Sequence, residues 1–453
     1  MTKKNGERAN WSGQMAFVLA AAASAVGLGN LWRFPASAAT YGGGIFILVY
    51  VALFFVFGVF LMITEIAVGR ATRLSAVSAF SSLNRKWGAV GWLGTLVPAL
   101  IMPYYCVIGG WVVRYLWGYL ADPGGMAAKG FFETFVARPS ETLGCTAVFA
   151  AGAFAMIYLG VKKGIEGSNK VLMPLLLALT VGIAAFTVTR PNAAAGLRYY
   201  LVPDFSRLCN ADGTFSPVLL SKTVLAAMGQ MFFSLSLAMG ILVAYGSYMP
   251  KSADIGRSSL RIGVIDTLVA VLAGAIVIPP AFAFGGEELA RTAGVGLMFV
   301  SLPQVFASMP GGTLFAVAFF ALALFAALTS AISVTEAVVA SLCDFFHLRR
   351  RAATTLALVY TAFAAVPSAL SLKFLDRTDF VTNSIFMPVC ALLTCVFVGW
   401  VVRAGFVRDE VTATGVKFGS YPVYRFVVRY LAPVLIAVIL VTYVLARFEL
   451  IRF

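Results

Sequence analysis

The side chains of this sequence that could bind something sit where polar groups are costly to place, in the middle of long apolar runs. Asn30 follows Gly27 and Gly29 in AFVLAAAASAVGLGNLWRFP, and Ser234 and Ser236 precede Gly240 in GQMFFSLSLAMGILVAYGSY. Asp266 and the pair Thr329 and Ser330 lie in two further runs. Amide, hydroxyl and carboxylate oxygens at that depth are hard donors of the kind that replace the hydration shell of a small cation. Glycine costs about 1 kcal/mol in a helix interior, so the glycine-bearing runs are where a helix can break and add backbone carbonyls to the same donor set. No nucleophile and base stand in a constellation and no cofactor motif appears, which argues against an enzyme. Six cysteines without metal-ligand spacing and a single histidine, His347, argue against a zinc site.

These donors must be positioned by membrane spans. Of the 453 residues, 60% are apolar and 12% charged, with a mean hydropathy of +0.91; soluble domains carry about 25% charged residues. Apolar runs long enough to cross about 30 Å of hydrocarbon recur along the chain. They predict eleven spans at roughly 14 to 38, 41 to 68, 88 to 121, 140 to 160, 165 to 190, 217 to 249, 256 to 285, 313 to 343, 351 to 372, 376 to 403 and 422 to 446. The formal charge of +15 is spread over short loops between spans, a topology signal rather than a nucleic-acid surface. With the N-terminus cytoplasmic, about 21 Lys and Arg fall inside and about 13 outside, including the internal cluster Arg349 to Arg351. The C-terminus is then external. The start, MTKKNGERANWSG, carries no removable signal pattern. No soluble domain is expected, and the segment from 286 to 312 is apolar enough to fold back as a lid.

Spans 1 and 6 are interruptible in the same way, and they open the two halves of a five-plus-five arrangement. That is the pattern of a transporter built from inverted repeats with its site at the bilayer midplane. A broken helix survives there only where its freed backbone groups line a protected cavity.

The run from Ser24 to Pro35 (SAVGLGNLWRFP), followed by Gly42, Gly43 and Gly44, resembles the first-helix signature of the neurotransmitter:sodium symporter family. The resemblance continues through Tyr104 and Tyr105, the segment from Gly229 to Ser236, that from Leu328 to Ala331 and that from Asp376 to Phe380. It implies an all-α polytopic protein of the leucine-transporter fold, with repeat one over about 11–190, repeat two over about 217–403 and a peripheral helix over about 422–446. The eleven spans are similar to the bacterial branch, located in the cytoplasmic (inner) membrane. The implied activity is sodium-coupled symport of a neutral amino acid by a monomer or weak dimer.

The resemblance also implies roles residue by residue. A first sodium ion would take the Ala25 carbonyl, the side chains of Asn30, Ser234 and Asp266, and the substrate carboxylate. A second would take the carbonyls of Ala23, Val26 and Ala326 and the hydroxyls of Thr329 and Ser330, bridging spans 1 and 8. Asp266 stands where chloride-dependent members carry asparagine beside a chloride site, so no chloride is expected. The substrate carboxylate would meet the amides of Leu28 and Gly29, at a half-helix N-terminus that favours anions, and the Tyr105 hydroxyl. Its ammonium would meet carbonyls of Ala25, Phe233 and Ser234 and the Ser236 hydroxyl. Its side chain would meet Ile101, Phe233, Met239, Ser330 and Val334, a lining that suits aliphatic or aromatic groups. Ser24 replaces the aspartate with which monoamine transporters bind an amine. Ala238, in place of a glycine, is expected to limit the unwinding of span 6.

For the gates, the resemblance implies an external pair, Arg33 and Asp379, above Tyr105 and Phe233. An internal pair, Arg8 and Asp344, is implied with Trp11 as plug and Tyr248 nearby. Gly164 and Pro174 match a pattern permitting cytoplasmic unwinding of span 5. Glu65 is expected to accept from freed amides of span 6. For Glu336, neutral helix packing and a proton role both stand. A channel or a non-transporting amino acid sensor remains the rival class, as does a transporter of small amino acids or amines.

Overall fold

The computed structural model describes residues 9–190, 193–210, 212–290 and 295–447. Among them, nine helices are long and apolar enough to cross a membrane, from Gly44–Thr72 to Tyr421–Thr442. A tenth span is the bent pair Gln14–Ala25 and Gly29–Thr40, whose halves meet at 54°. The predicted span 217 to 249 is helical in two pieces, Pro217–Ser234 and Ile241–Ser247, and is not among those ten.

The two breaks have local causes. In span 1 the Gly27 amide donates to Asn30 Oδ1 at 3.0 Å, instead of to the carbonyl four residues back, which is that of Ala23. In span 6 three residues take left-handed backbone angles, Ser236 (φ 54°), Ala238 (φ 61°) and Gly240 (φ 64°), a conformation that ends an α-helix. The Ala238 methyl therefore does not hold the helix together. Its strain is offset because the Ala238 amide donates to Glu65 Oε1 at 2.7 Å, the role expected of Glu65. Gly240 is needed for space as well as angle, since a Cβ there would sit 2.7 Å from the Gly94 carbonyl.

Two long helices flank the breaks, Gly88–Ala121 (span 3) and Gly312–Phe346 (span 8). Span 3 carries Ile101 and Tyr105, and span 8 carries Thr329, Ser330 and Val334. The segment after span 7 folds onto the protein as expected: Leu297–Ser308 is helical, and the Phe299 carbonyl accepts from Tyr115 at 2.5 Å. Span 5 is helical without interruption over Val161–Val188, so the Gly164 and Pro174 pattern is not accompanied by unwinding here. Its Val161 end is tied to span 1 through Glu166, which accepts from the Ser12 amide at 3.0 Å and from the Ser12 hydroxyl.

Candidate functional site

Between the two breaks lies a small cavity of about 30 Å³. Ala25, Leu28, Gly29, Ile101, Tyr105, Phe233, Ser236, Met239, Ser330 and Val334 line it, together with Ser24, Gly27 and Asn30. Ser234, whose carbonyl is the remaining expected substrate contact, is not part of the lining; its hydroxyl lies beside Asp266, its expected neighbour in the first ion set. One wall is aliphatic and thioether surface (Ile101, Met239, Val334). The opposite end is polar: the Leu28 amide donates to the Tyr105 hydroxyl at 3.4 Å, and the Ser24 and Ser236 hydroxyls lie 3.3 Å apart. A solute with charged and apolar ends fits this division.

Gly29 is confined by the Phe233 ring, with which a Cβ at that position would collide. Gly29→Ala should therefore push Phe233 off the cavity and block approach to the adjacent amides. Overpacking of this kind costs about 1–3 kcal/mol, so substrate affinity measured by scintillation proximity is expected to fall about tenfold, with the protein still folded.

Asp266 is fully buried and sits at the centre of a polar cluster beside the cavity. Its Oδ1 accepts from Asn30 Nδ2 at 2.7 Å, and Ser234 Oγ lies 2.9 Å from both carboxylate oxygens. The Tyr50 hydroxyl donates to Oδ2 at 3.2 Å. Asn30, Ser234 and Asp266 are thus brought together. Tyr50 is a partner that sequence reasoning missed, since a tyrosine in an apolar run reads as packing. The other expected ion set is also adjacent across spans 1 and 8. Ser330 Oγ donates to the Ser24 carbonyl at 3.1 Å and lies 3.3 Å from that of Val26, and Thr329 Oγ1 is 3.1 Å from the Ala326 carbonyl. Ala23 and Ala326 are fully buried.

The two ends of the cavity are closed differently. On the Trp11 side, the indole is buried, its Nε1 donates to the Tyr245 carbonyl at 3.0 Å, and its ring packs edge-on to Tyr245 and Tyr248. The Tyr248 hydroxyl donates to Glu336 Oε1 at 2.7 Å. Arg350 donates to both oxygens of the same carboxylate at 2.9 and 2.5 Å. Glu336 is therefore a member of a buried ion pair joining spans 6, 8 and 9. Arg350 was legible only as one charge of the Arg349 to Arg351 cluster. Asp344 accepts from the Ser75 amide at 2.6 Å; its expected partner Arg8 lies outside the described residues.

On the opposite side Arg33 and Asp379 do not meet as a direct ion pair. The Arg33 guanidinium lies 4.8 Å from the Phe233 ring centroid, a cation–π distance. Asp379 accepts instead from Asn383 Nδ2 at 2.6 Å, and Asn383 also reaches the Tyr104 hydroxyl at 3.5 Å. The seal on the Trp11 side is thus made of interlocked hydrogen bonds, and the other of a cation resting on a ring.

Known proteins share this architecture. The solved structure of MhsT in complex with L-phenylalanine matches with a TM-score of 0.85 at 33% identity, covering 96% of this chain and 100% of that one. An uncharacterized sodium-dependent transporter of Bacillus subtilis, YhdH, is 33% identical over 405 residues, covering 86% of this chain and 87% of the relative. An uncharacterized sodium-dependent transporter of Haemophilus influenzae is 30% identical over 471 residues, covering 98% of this chain and 99% of the relative. The match to MhsT gives the leucine-transporter fold. The family model described as "Sodium:neurotransmitter symporter family" matches residues 8–123 and 142–451, and with the broken helices and the relatives in agreement, this chain belongs to that family and is a sodium-dependent symporter spanning the membrane many times.

Proposed function

We propose that this symporter takes up neutral, hydrophobic L-amino acids, aliphatic or aromatic, together with two sodium ions and without chloride. The observation that carries the reading is the cavity between the unwound parts of spans 1 and 6, apolar along Ile101, Met239 and Val334 and polar at Leu28, Gly29, Tyr105 and Ser236. Ser24 gives that cavity no carboxylate for a bare amine, which disfavours a decarboxylated substrate. MhsT, the structural neighbour, is known in complex with L-phenylalanine, which supports an aromatic side chain.

One ion would sit among the Ala25 carbonyl, Asn30, Ser234, Asp266 and the substrate carboxylate, so that it is incompletely coordinated until substrate arrives. That shared ligand is the physical basis of coupling. The other would join the carbonyls of Ala23, Val26 and Ala326 to the hydroxyls of Thr329 and Ser330; its loss would free span 1 from span 8. Asp266 supplies the fixed negative charge that chloride would otherwise provide, and takes up a proton for the return step. Arg33 with Asp379, and the plug at Trp11 with Tyr248, alternate as gates. The chain would lie in the cytoplasmic membrane with the Trp11 end inside and the C-terminus outside.

Uptake of radiolabelled amino acids into proteoliposomes tests this directly. Accumulation above equilibrium is expected with an inward sodium gradient in chloride-free medium, competed by leucine, phenylalanine and tryptophan and not by tryptamine. Equilibration independent of sodium would point to a channel, and binding without flux to a sensor.

A further inference from the structure

A second concave site lies far from the transport cavity, where span 10 ends and span 11 begins. It is a cleft of about 530 Å³ lined by Arg403, Arg408, Arg425 and Arg429 with Trp400 and Tyr421. Among the described residues only Arg408 has a carboxylate partner, Asp409 at 2.9 Å, so the cleft carries three uncompensated guanidinium groups. Arg429 is held over the Trp400 ring at 4.1 Å, which fixes its plane. Its Nε is buried and has no hydrogen-bond partner in the protein. A buried, unpartnered donor costs free energy, so the cleft is built to receive an acceptor from outside the chain.

The position of the cleft decides which acceptor. The short helix at its floor, Gly405–Thr412, carries Glu410, which pairs with Arg70 at 2.6 Å. Arg70 also donates to the Ala253 carbonyl at 2.6 Å. The cleft therefore belongs to the same end of the molecule as Trp11, whose amide donates to the Tyr248 carbonyl, the end that the positive charge bias assigns to the cytoplasm. Above it, Tyr430, Val434, Val438 and Val441 form an exposed apolar stripe along one face of span 11, continuous with Trp400. A ligand with an anionic head and a long apolar body satisfies both halves; a free anion satisfies only the first. Basic pockets between spans on the cytoplasmic side recognise lipid phosphates in this manner.

We propose that this cleft is a binding site for an anionic phospholipid of the cytoplasmic leaflet, its phosphate held by Arg403, Arg425 and Arg429 and its acyl chain laid along the outer face of span 11. Occupancy would clamp spans 10 and 11 to the Gly405–Thr412 helix, and through Glu410 to span 2.

The test uses the full-length transporter, purified in a neutral detergent and stripped of lipid. Its thermal unfolding is followed against phosphatidylglycerol, phosphatidylcholine or inorganic phosphate. Saturable stabilisation by phosphatidylglycerol alone is expected, its apparent affinity falling about fivefold for each arginine removed in R425Q and R425Q/R429Q. Arg349→Gln/Arg351→Gln, which removes equal charge from another basic cluster, should leave that affinity unchanged. Should the double variant fail to fold, Arg403→Gln on the exposed rim gives the same readout. Native mass spectrometry of the wild type then compares retention of the two lipids. Equal retention of both, undiminished affinity in the variants, or stabilisation by inorganic phosphate equal to that by phosphatidylglycerol would overturn the proposal.

Discussion

Replacing Asp266 with serine is expected to lower sodium-driven uptake about 100-fold or more in chloride-free medium, and to leave a residual activity that chloride stimulates. The carboxylate is fully buried and gathers donors from Asn30, Ser234 and Tyr50. In the proposed sodium site Asp266 is the one anionic side chain facing the ion, and leaving a buried charge unpaired costs about 3–5 kcal/mol, with every 1.4 kcal/mol tenfold in affinity. Serine keeps a hydroxyl for Asn30 and leaves room beside Tyr50, so an external anion can restore part of the lost negative charge. The checks are sodium affinity from the concentration dependence of binding, and uptake with chloride exchanged for gluconate. Wild-type transport that requires chloride would refute the role given to Asp266.

Arg350→Ala should be the most destabilising single change at the Trp11 end. Glu336 has no exposed side-chain surface, whereas that of Arg350 is 27% exposed, so deleting the guanidinium strands a carboxylate in the protein interior. The expected loss is about 3–5 kcal/mol, seen as a lowered unfolding temperature in detergent. Because the penalty belongs to the stranded charge, Glu336→Gln/Arg350→Ala should recover most of it: glutamine still accepts from Tyr248 and carries no charge. A double variant as unstable as the single one would mean that Arg350 acts by packing alone. Transport separates the two further. Loosening the contact among spans 6, 8 and 9 weakens the seal under Trp11, so the single variant should accumulate less substrate at the same sodium gradient.

Much of the fold was legible because its causes are local. A run of apolar residues predicts a span wherever it occurs, and nine helices among the described residues follow from that rule. Gly27, Gly29 and Gly240 marked the breaks, since glycine is poor helix interior and tolerates the angles at which a helix ends. Glu65 was readable as a receiver for freed amides because an acid in a span needs a partner and a broken helix supplies donors. Ala238 shows the limit of such reasoning: side-chain propensity argued against unwinding, and the carboxylate of Glu65, more than a hundred residues earlier, overrode it.

What the sequence determined alone is therefore most of the spans, the two that must break, and the oxygen-bearing residues at their depth. The tertiary structure decided which of these meet. It brought Tyr50 onto Asp266, set Arg33 on Phe233 rather than on Asp379, and joined Glu336 to Arg350 and Tyr248. Each of these depends on how one helix is rotated about its axis against another. Ridge-into-groove packing across the whole bundle sets that rotation, and no window of neighbouring residues contains it.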